Sequence, residues 1–146
     1  MAWNYSRAVE YADAKAVSMP GSERINALMR ALGDPQSRLL RVHVAGTNGK
    51  GSVSAYIAAA IGAAGYRTGR VSSPAVRERR ECFCIDGEFI GESEYAYCME
   101  RGAQTAEGLQ EKGLGRPTSI GAETAGGGHW GRVQRVRGGG VGAGAG

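Results

Sequence analysis

The sequence has few of the residues that build metal centres and disulfide frameworks. It contains three cysteines and two histidines among 146 residues. A structural zinc site takes four ligands, and His43 and His129 lie in contexts unrelated to the cysteines. We therefore expect Cys82, Cys84 and Cys98 to be reduced thiols, buried or half-exposed, and not zinc ligands.

Long apolar runs and a targeting segment are also missing. No apolar run approaches the roughly 20 residues that a membrane-spanning helix needs, and the N-terminus lacks the pattern of a secretory signal peptide. We therefore expect a cytoplasmic protein that does not contact a membrane. The net charge is +4, but Arg132, Arg135 and Arg137 supply three of those charges. The charge of the remaining chain gives no reason to expect a nucleic-acid partner.

Glycine, in contrast, is abundant, and one cluster of it follows a short apolar run. Leu39, Leu40, Val42, Val44 and Ala45 form an apolar, partly β-branched run, which predicts a buried strand with His43 packed in it. Residues 52–64 are rich in alanine and lack proline, which predicts a helix. The turn between them, G-T-N-G-K-G-S, contains three glycines that let backbone N–H groups point inward, toward the positive end of the helix dipole. Such a turn binds phosphate.

The turn departs from the common phosphate-loop pattern G-x-x-x-x-G-K-[ST] in two places. With Lys50 in register, Val44 stands where the first glycine belongs, and Gly51 separates the lysine from Ser52. An ordinary βα loop with extra glycines therefore stays an alternative. If the turn does bind phosphate, Lys50 would reach the outer phosphates and the Ser52 hydroxyl could bind a magnesium ion.

The rest of the chain predicts further helices and strands of an α/β fold. Apolar residues at helical spacing predict helices over residues 4–15, 23–32 and 93–112. Residues 67–72 predict a second strand, parallel to the first because a helix connects them. Alternating apolar residues around Asp86-Gly87 predict a hairpin with a type I′ turn. The residues expected on the buried faces of the helices at 23–32 and 93–112 are Ile25, Leu28, Met29, Leu32, Tyr95, Cys98, Met99, Ala106 and Leu109.

Four ordered motifs together resemble one protein family. HVAGTNGKGSV resembles, nearly letter for letter, the phosphate loop of folylpolyglutamate synthases and dihydrofolate synthases, in the Mur ligase superfamily. The segment PGSERINALMRALGDPQSRLL before the loop is similar to that family, and so are GYRTGRVSSPAV and IDGEFIGESEY after it. The resemblance runs from about Tyr5 to Ala125 and implies a fold. We expect residues 1–125 to form the N-terminal part of a Mur-ligase-type ATP-binding domain. It would be a partial P-loop nucleotide-binding domain, with parallel strands flanked by helices, a β-hairpin and a truncated sheet.

The resemblance also implies a reaction. In this family ATP transfers its γ-phosphoryl group to a substrate carboxylate, and the amine of glutamate attacks the resulting acyl phosphate to form an amide. The implied cofactors are ATP and Mg²⁺, and the implied substrates are glutamate with folate or dihydropteroate, in a protein expected to be a monomer. Lys50 would be the catalytic residue, and Ser52 with Ser73 would hold magnesium. The residues implied to bind the nucleotide are Gly46, Thr47, Asn48, Gly49, Lys50, Gly51 and Ser52.

Other parts of the family pattern are altered or missing. Ala75 follows the serine-proline pair where many relatives have histidine. The family's acidic magnesium ligand, later histidine, modified lysine and C-terminal domain have no counterpart, so we expect this chain to be inactive as a ligase. The basic cluster after Pro74 has two interpretations: Arg77 and Arg80 bind an anionic substrate, or the cluster is a solvated, mixed-charge surface.

The last 21 residues, 126–146, differ in composition from everything before them. Ten are glycine and none is acidic, so we expect this segment to be disordered because it cannot bury enough apolar surface. Our hypothesis is a shifted reading frame that begins near Gly121 to Gly126. An RNA-binding tail is the competing interpretation, although Trp130 is its one aromatic residue for stacking.

Three functions are therefore open at the level of the sequence. The first is a folylpolyglutamate or dihydrofolate synthase by descent, and the second is a nucleotide-binding remnant without turnover. The third is another P-loop enzyme, such as a small kinase or a nucleotide-hydrolysing switch. A switch needs an acidic magnesium ligand at the end of a nearby strand, whereas Asp86 belongs to a predicted hairpin turn.

Overall fold

A computed structural model describes residues 2–14 and 22–113 of the chain. The helices in these two ranges are α1 (Tyr5–Ala14), α2 (Ser22–Ala31), α3 (Lys50–Ala63) and α4 (Glu92–Glu111). The strands are β1 (Gly69–Val71), β2 (Phe83–Ile85) and β3 (Glu88–Phe89), and short 3₁₀ helices span Pro35–Arg38 and Arg79–Cys82. All four helices lie within two residues of the predicted bounds, because apolar spacing and turn residues are local signals.

The long helix α4 organises the packed part of the molecule. Its apolar face contacts α1 and the hairpin on one stretch and α2 on the next. Tyr95 and Met99 are each 1% exposed and pack with Ala8 and Ala12 of α1. The second cluster consists of Leu28, Met29, Leu32 and Ala106, with Ile25 and Leu109 partly buried against it. The predicted buried faces of both helices are confirmed.

Three short strands form an antiparallel sheet in the order β1-β2-β3. The hairpin between β2 and β3 is confirmed, and its turn residues Asp86 and Gly87 have φ of 49° and 92°. Positive φ at both central positions is the type I′ geometry that the Asp-Gly pair predicts. Asp86 also joins the hairpin to the start of β1, because it accepts hydrogen bonds from the Thr68 amide at 2.7 Å and from Arg67 Nε at 3.0 Å.

The predicted parallel pairing is not confirmed. Within the described ranges, residues 40–45 form no strand, and β1 pairs antiparallel with β2 instead. Leu40 and Val42 are exposed, at 105% and 65%, and His43 is exposed as well. A strand needs a hydrogen-bonded neighbour, and the described part of the chain places none beside these residues. Leu39 and Val44 are only partly buried, so the apolar run does not form the buried strand that was expected.

The predictions for the tail at residues 126–146 lie outside the described residues, as does the end of the matched region after residue 113. In the part of the chain that the structure describes, no helix combines the length and apolar character required to cross a membrane.

Candidate functional site

The glycine-rich turn at residues 46–52 connects the exposed apolar run to α3. Gly46 and Gly49 have φ of 149° and 74°, and Gly49 precedes the first residue of the helix. A Cβ at Gly49 would meet no atom within 4 Å, so the residue is favoured there by its backbone angle and not by lack of space. All residues of the turn are exposed, and an incoming anion can therefore reach its backbone.

The first amides of α3 supply donors that the protein itself does not use. The first hydrogen bond of the helix runs from the Val53 amide to the Gly49 carbonyl, at 2.9 Å. Within the described residues, the amides of Lys50, Gly51 and Ser52 have no acceptor. Unpaired amides at the positive end of a helix are the donors that phosphate groups accept from. The residues present therefore fit the phosphate groups of a nucleotide.

The side chain of Lys50 bends back over the turn. Its Nζ donates to the carbonyl oxygens of Gly46, at 2.5 Å, and Thr47, at 3.2 Å. The ammonium group is thus held at the turn itself, beside the backbone that would surround a phosphate. The sequence predicted that Lys50 belongs to this site, but it gave no indication of these two contacts.

Two serine hydroxyls are the predicted magnesium ligands. Ser52 lies in the first turn of α3, and Ser73 follows β1 and precedes Pro74 through a cis peptide bond. Both residues are exposed. Hydroxyl oxygens suit a hard cation such as Mg²⁺. Among the described residues there is no group of three or more histidine, cysteine or acidic side chains that could hold a metal, so any Mg²⁺ here would depend on nucleotide and water oxygens as well.

The two predicted substrate arginines differ in their surroundings. Arg80 Nε donates to Glu78 Oε2 at 2.5 Å, and its NH1 donates to the Ile90 carbonyl at 3.3 Å. The hydrogen bond to Glu78 raises the pKa of Arg80 above its ordinary value. Arg77 is exposed, and its backbone amide donates to Glu81 Oε2 at 3.1 Å. The structure thus gives the Arg80 guanidinium two protein partners.

The neighbouring Arg79 forms an ion pair with Asp13 of α1, so this part of the basic cluster also holds the fold together. Cys82, Cys84 and Cys98 are buried thiols that form no disulfide, which agrees with the prediction of reduced, buried cysteines. Burial, with a smaller contribution from Glu94, raises the pKa of Cys98 to about 12. This thiol therefore stays protonated at neutral pH, the form that is a poor nucleophile.

The comparisons with known proteins agree on one group of enzymes. A dihydrofolate synthase/folylpolyglutamate synthase of Bacillus subtilis is 35% identical to the chain over 106 residues, which is 73% of this chain and 25% of that protein. The chain is homologous to the folylpolyglutamate and dihydrofolate synthases. No family model matches it.

Solved structures of folylpolyglutamate synthases have the same fold. The Lactobacillus casei enzyme superposes with a TM-score of 0.83 and 31% identity, over 92% of this chain and 34% of that one. The Mycobacterium tuberculosis enzyme complexed with ADP gives 0.75 and 29%, over 86% and 28%. A folylpolyglutamate synthase in complex with AMPPCP and folate gives 0.82 and 31%, over 92% and 33%. The α/β fold and the resemblance seen in the motifs are thereby confirmed.

The match covers most of this chain but only a part of each synthase. The chain spans about a quarter of the length of the Bacillus subtilis relative and about a third of the Lactobacillus casei one. The phosphate-loop segment, the serine-proline loop and the hairpin of the synthase resemblance all lie within residues 22–113. The site residues predicted from that resemblance can therefore all be placed in the structure.

Proposed function

We propose that residues 46–52 bind the phosphates of ATP and that this binding belongs to the ligase reaction of the folylpolyglutamate and dihydrofolate synthases, whose turnover by this chain alone we do not expect. The observation that carries this proposal is the combination at one turn of free amides at Lys50, Gly51 and Ser52 with the Lys50 ammonium. The homologous synthases whose structures hold ADP, or AMPPCP and folate, support the choice of nucleotide and substrate class.

In the proposed reaction, ATP donates its γ-phosphoryl group to a carboxylate of folate or dihydropteroate. The nitrogen of glutamate then attacks the acyl carbon, an amide forms, and phosphate leaves. The backbone amides of residues 48–52 hold the β- and γ-phosphates, and Lys50 stabilises the negative charge on the transferred group. Reactions of this kind depend on the positioning of the reactants and on electrostatic stabilisation.

Magnesium would be held by the hydroxyls of Ser52 and Ser73, and when bound it neutralises charge on the phosphates. To bind a phosphate, Lys50 has to exchange its contacts with the Gly46 and Thr47 carbonyls for contacts with the nucleotide. Gly46 and Thr47 are exposed residues, so water can replace the lysine as the partner of their carbonyls.

We assign the role of binding an anionic substrate to Arg77 in preference to Arg80. The guanidinium of Arg80 already donates to Glu78 and to the Ile90 carbonyl, and a substrate carboxylate would have to displace these acceptors. Arg77 is exposed. Bidentate binding of a carboxylate by an arginine is common because the two groups have matching planar geometry.

Each of the two alternative functions predicts a different result in binding and turnover assays. A nucleotide-binding remnant would bind ATP without glutamate-dependent release of phosphate, and another P-loop kinase or switch would prefer a different nucleotide or acceptor. The cytoplasmic location and the monomeric state stay predictions. So do the division of the chain at residue 126 and the frame-shift hypothesis for its last residues.

Isothermal titration of the full chain with magnesium ATP tests the proposal. We expect saturable binding that Lys50→Ala abolishes, because the ammonium is the one side-chain charge at the turn. Lys112→Ala is the matched control, since Lys112 is exposed at the C-terminal end of α4 and should leave the affinity unchanged. Equal binding by both variants would contradict the proposed role of the turn.

Phosphate release with folate or dihydropteroate, measured with and without glutamate, then separates the ligase from the remnant. Release that depends on glutamate supports the ligase. Binding without release supports the remnant, and tighter binding of GTP than of ATP supports the third function.

A further inference from the structure

The loop between β1 and β2 carries three arginines, and two of them already have acidic partners. We call residues 73–81 the basic loop. Arg79 pairs with Asp13 of α1, and Arg80 Nε donates to the glutamate two positions before it. Within the described residues, the exposed guanidinium of Arg77 has no such partner. The loop therefore presents one arginine to an incoming anion and uses the other two in ion pairs within the protein.

Helix α1 holds the basic loop at two points. Asp13, in the last turn of the helix, forms its ion pair with Arg79 across 66 residues of sequence. The hydroxyl of Tyr5, the first residue of the helix, accepts a hydrogen bond from the Arg80 amide at 3.4 Å. The Tyr5 ring packs edge-on against Tyr95, with 5.4 Å between the ring centroids, and Tyr95 is 1% exposed. The two ends of a packed helix therefore hold the loop.

The remaining contacts of the basic loop fix its backbone from within. The Ser72 amide donates to the Cys82 carbonyl at 2.9 Å, which closes the base of the loop where β1 ends. The Arg77 amide donates to Glu81 Oε2 at 3.1 Å, and Ala75 is partly buried against the hydrophobic cluster shared by α1 and α4. The backbone of Arg77 is thus held although its side chain is exposed. A side chain on a held backbone loses less conformational freedom when it binds a ligand.

We propose that Asp13 is a positioning residue for the anionic substrate. Its ion pair with Arg79 sets the basic loop so that the Arg77 guanidinium is presented to a substrate carboxylate. The inference rests on the proposed function, because it takes Arg77 as the group that binds the anion. Asp13 does not itself contact the substrate, since its carboxylate would repel an anion, and its effect passes through Arg79.

The sign of the effect separates positioning from general electrostatics. Removal of the Asp13 carboxylate makes this surface more positive and also releases Arg79, so charge attraction alone would strengthen the binding of an anion. Positioning has the opposite effect, because a loosened loop must be ordered when the anion binds. The side chains of Asp13 and Arg79 are 59% and 32% exposed, and exposed pairs of this kind change an equilibrium by up to about fivefold.

Titration calorimetry of the full chain with folate tests the inference. Asp13→Ala should weaken folate binding about two- to fivefold. Glu10→Ala is the matched control, because Glu10 is an exposed acidic residue of the same helix and its removal changes the net charge equally. This control should not weaken folate binding. ATP titrated without magnesium reports on the turn at residues 46–52 and should bind equally to the unmodified chain and to both variants.

A charge-swapped chain separates positioning from a loss of stability. Asp13→Arg combined with Arg79→Asp restores an ion pair between α1 and the basic loop, so folate affinity should return to within about twofold of the unmodified chain. Hydrogen exchange followed by mass spectrometry should show that the amides of the basic loop exchange at least about threefold faster in Asp13→Ala and recover in the swapped chain. Urea titration of each variant checks that the chain is folded under the conditions of the assay.

Two results would overturn the inference alone. The first is folate binding by Asp13→Ala that equals or exceeds that of the unmodified chain, because the ion pair would then not set Arg77. The second is a swapped chain that stays as weak as Asp13→Ala. Absence of folate binding by the unmodified chain, or binding that Arg77→Ala leaves unchanged, would instead contradict the proposed role of Arg77 and would overturn the inference with it.

Discussion

Replacing Gly49 with alanine tests whether the backbone of the phosphate-loop turn is set for binding. Gly49 has φ of 74°, and a Cβ there would meet no atom within 4 Å. The cost of alanine is therefore conformational, and the left-handed region costs an L-residue about 1–2 kcal/mol. In the free protein the exposed turn can relax to avoid this cost. When the nucleotide binds, residue 49 has to adopt the left-handed conformation again so that the amides of the turn point at the phosphates.

We therefore expect Gly49→Ala to weaken the binding of magnesium ATP about 5- to 30-fold, which is the conversion of 1–2 kcal/mol at 25 °C. Titration calorimetry measures this directly. Gly62→Ala is the matched control, since Gly62 lies in the same helix with ordinary φ and open space around it. It should leave the affinity unchanged and stabilise the helix by about 0.5–1 kcal/mol. Equal affinities for Gly49→Ala and the unmodified chain would refute the reasoning.

Three further predictions concern the packed part of the chain. Leu28 of α2 is fully buried against α4. Leu28→Ala should therefore lower the free energy of unfolding, measured by urea titration, by about 2–5 kcal/mol. A smaller loss than that of the exposed substitution Val76→Ala would contradict the assignment of Leu28 to the core. Partial burial raises the pKa of Asp86, but the hydrogen bonds from the Thr68 amide and from Arg67 outweigh that effect. The pKa of Asp86 is therefore below its ordinary value of 3.8. Its contribution to stability is therefore present above about pH 4 and is lost as the pH falls through the folded pKa, and Asp86→Asn should flatten the acid side of the stability profile. Cys98, with a pKa of about 12, should resist alkylation at pH 8 in the folded chain and react after denaturation. Mass spectrometry of the labelled peptide measures the extent of alkylation. Rapid labelling of the native protein would contradict the burial of this thiol.

The helices and the hairpin could be predicted from the sequence because their signals are local. The face of α4 that carries Tyr95, Cys98 and Met99 follows from apolar spacing over a few turns. The Asp86-Gly87 pair determines the turn type by itself, since both residues tolerate positive φ. The turn at residues 46–52 was likewise found from its glycines, its lysine and the helix that follows.

The predictions that were not confirmed concern contacts between distant parts of the chain. Residues 39–45 have the composition of a buried strand, but a strand also needs a neighbour, and no described residue supplies one. The pairing of Arg80 with Glu78 is short-range, yet its contact with the Ile90 carbonyl depends on the hairpin folding back. The sequence therefore did not distinguish Arg77 from Arg80 as a substrate ligand.

The amino-acid sequence alone indicated which residues of the turn could bind phosphate and which family of proteins the chain resembles, because both signals lie in short stretches of sequence. Only the tertiary structure decided that β1 pairs antiparallel with β2 and that the Lys50 ammonium rests on the Gly46 and Thr47 carbonyls. It also decided that α3 is left uncovered. Burial and strand pairing depend on which surfaces meet in space, and the local pattern of side chains states only that a surface needs a partner.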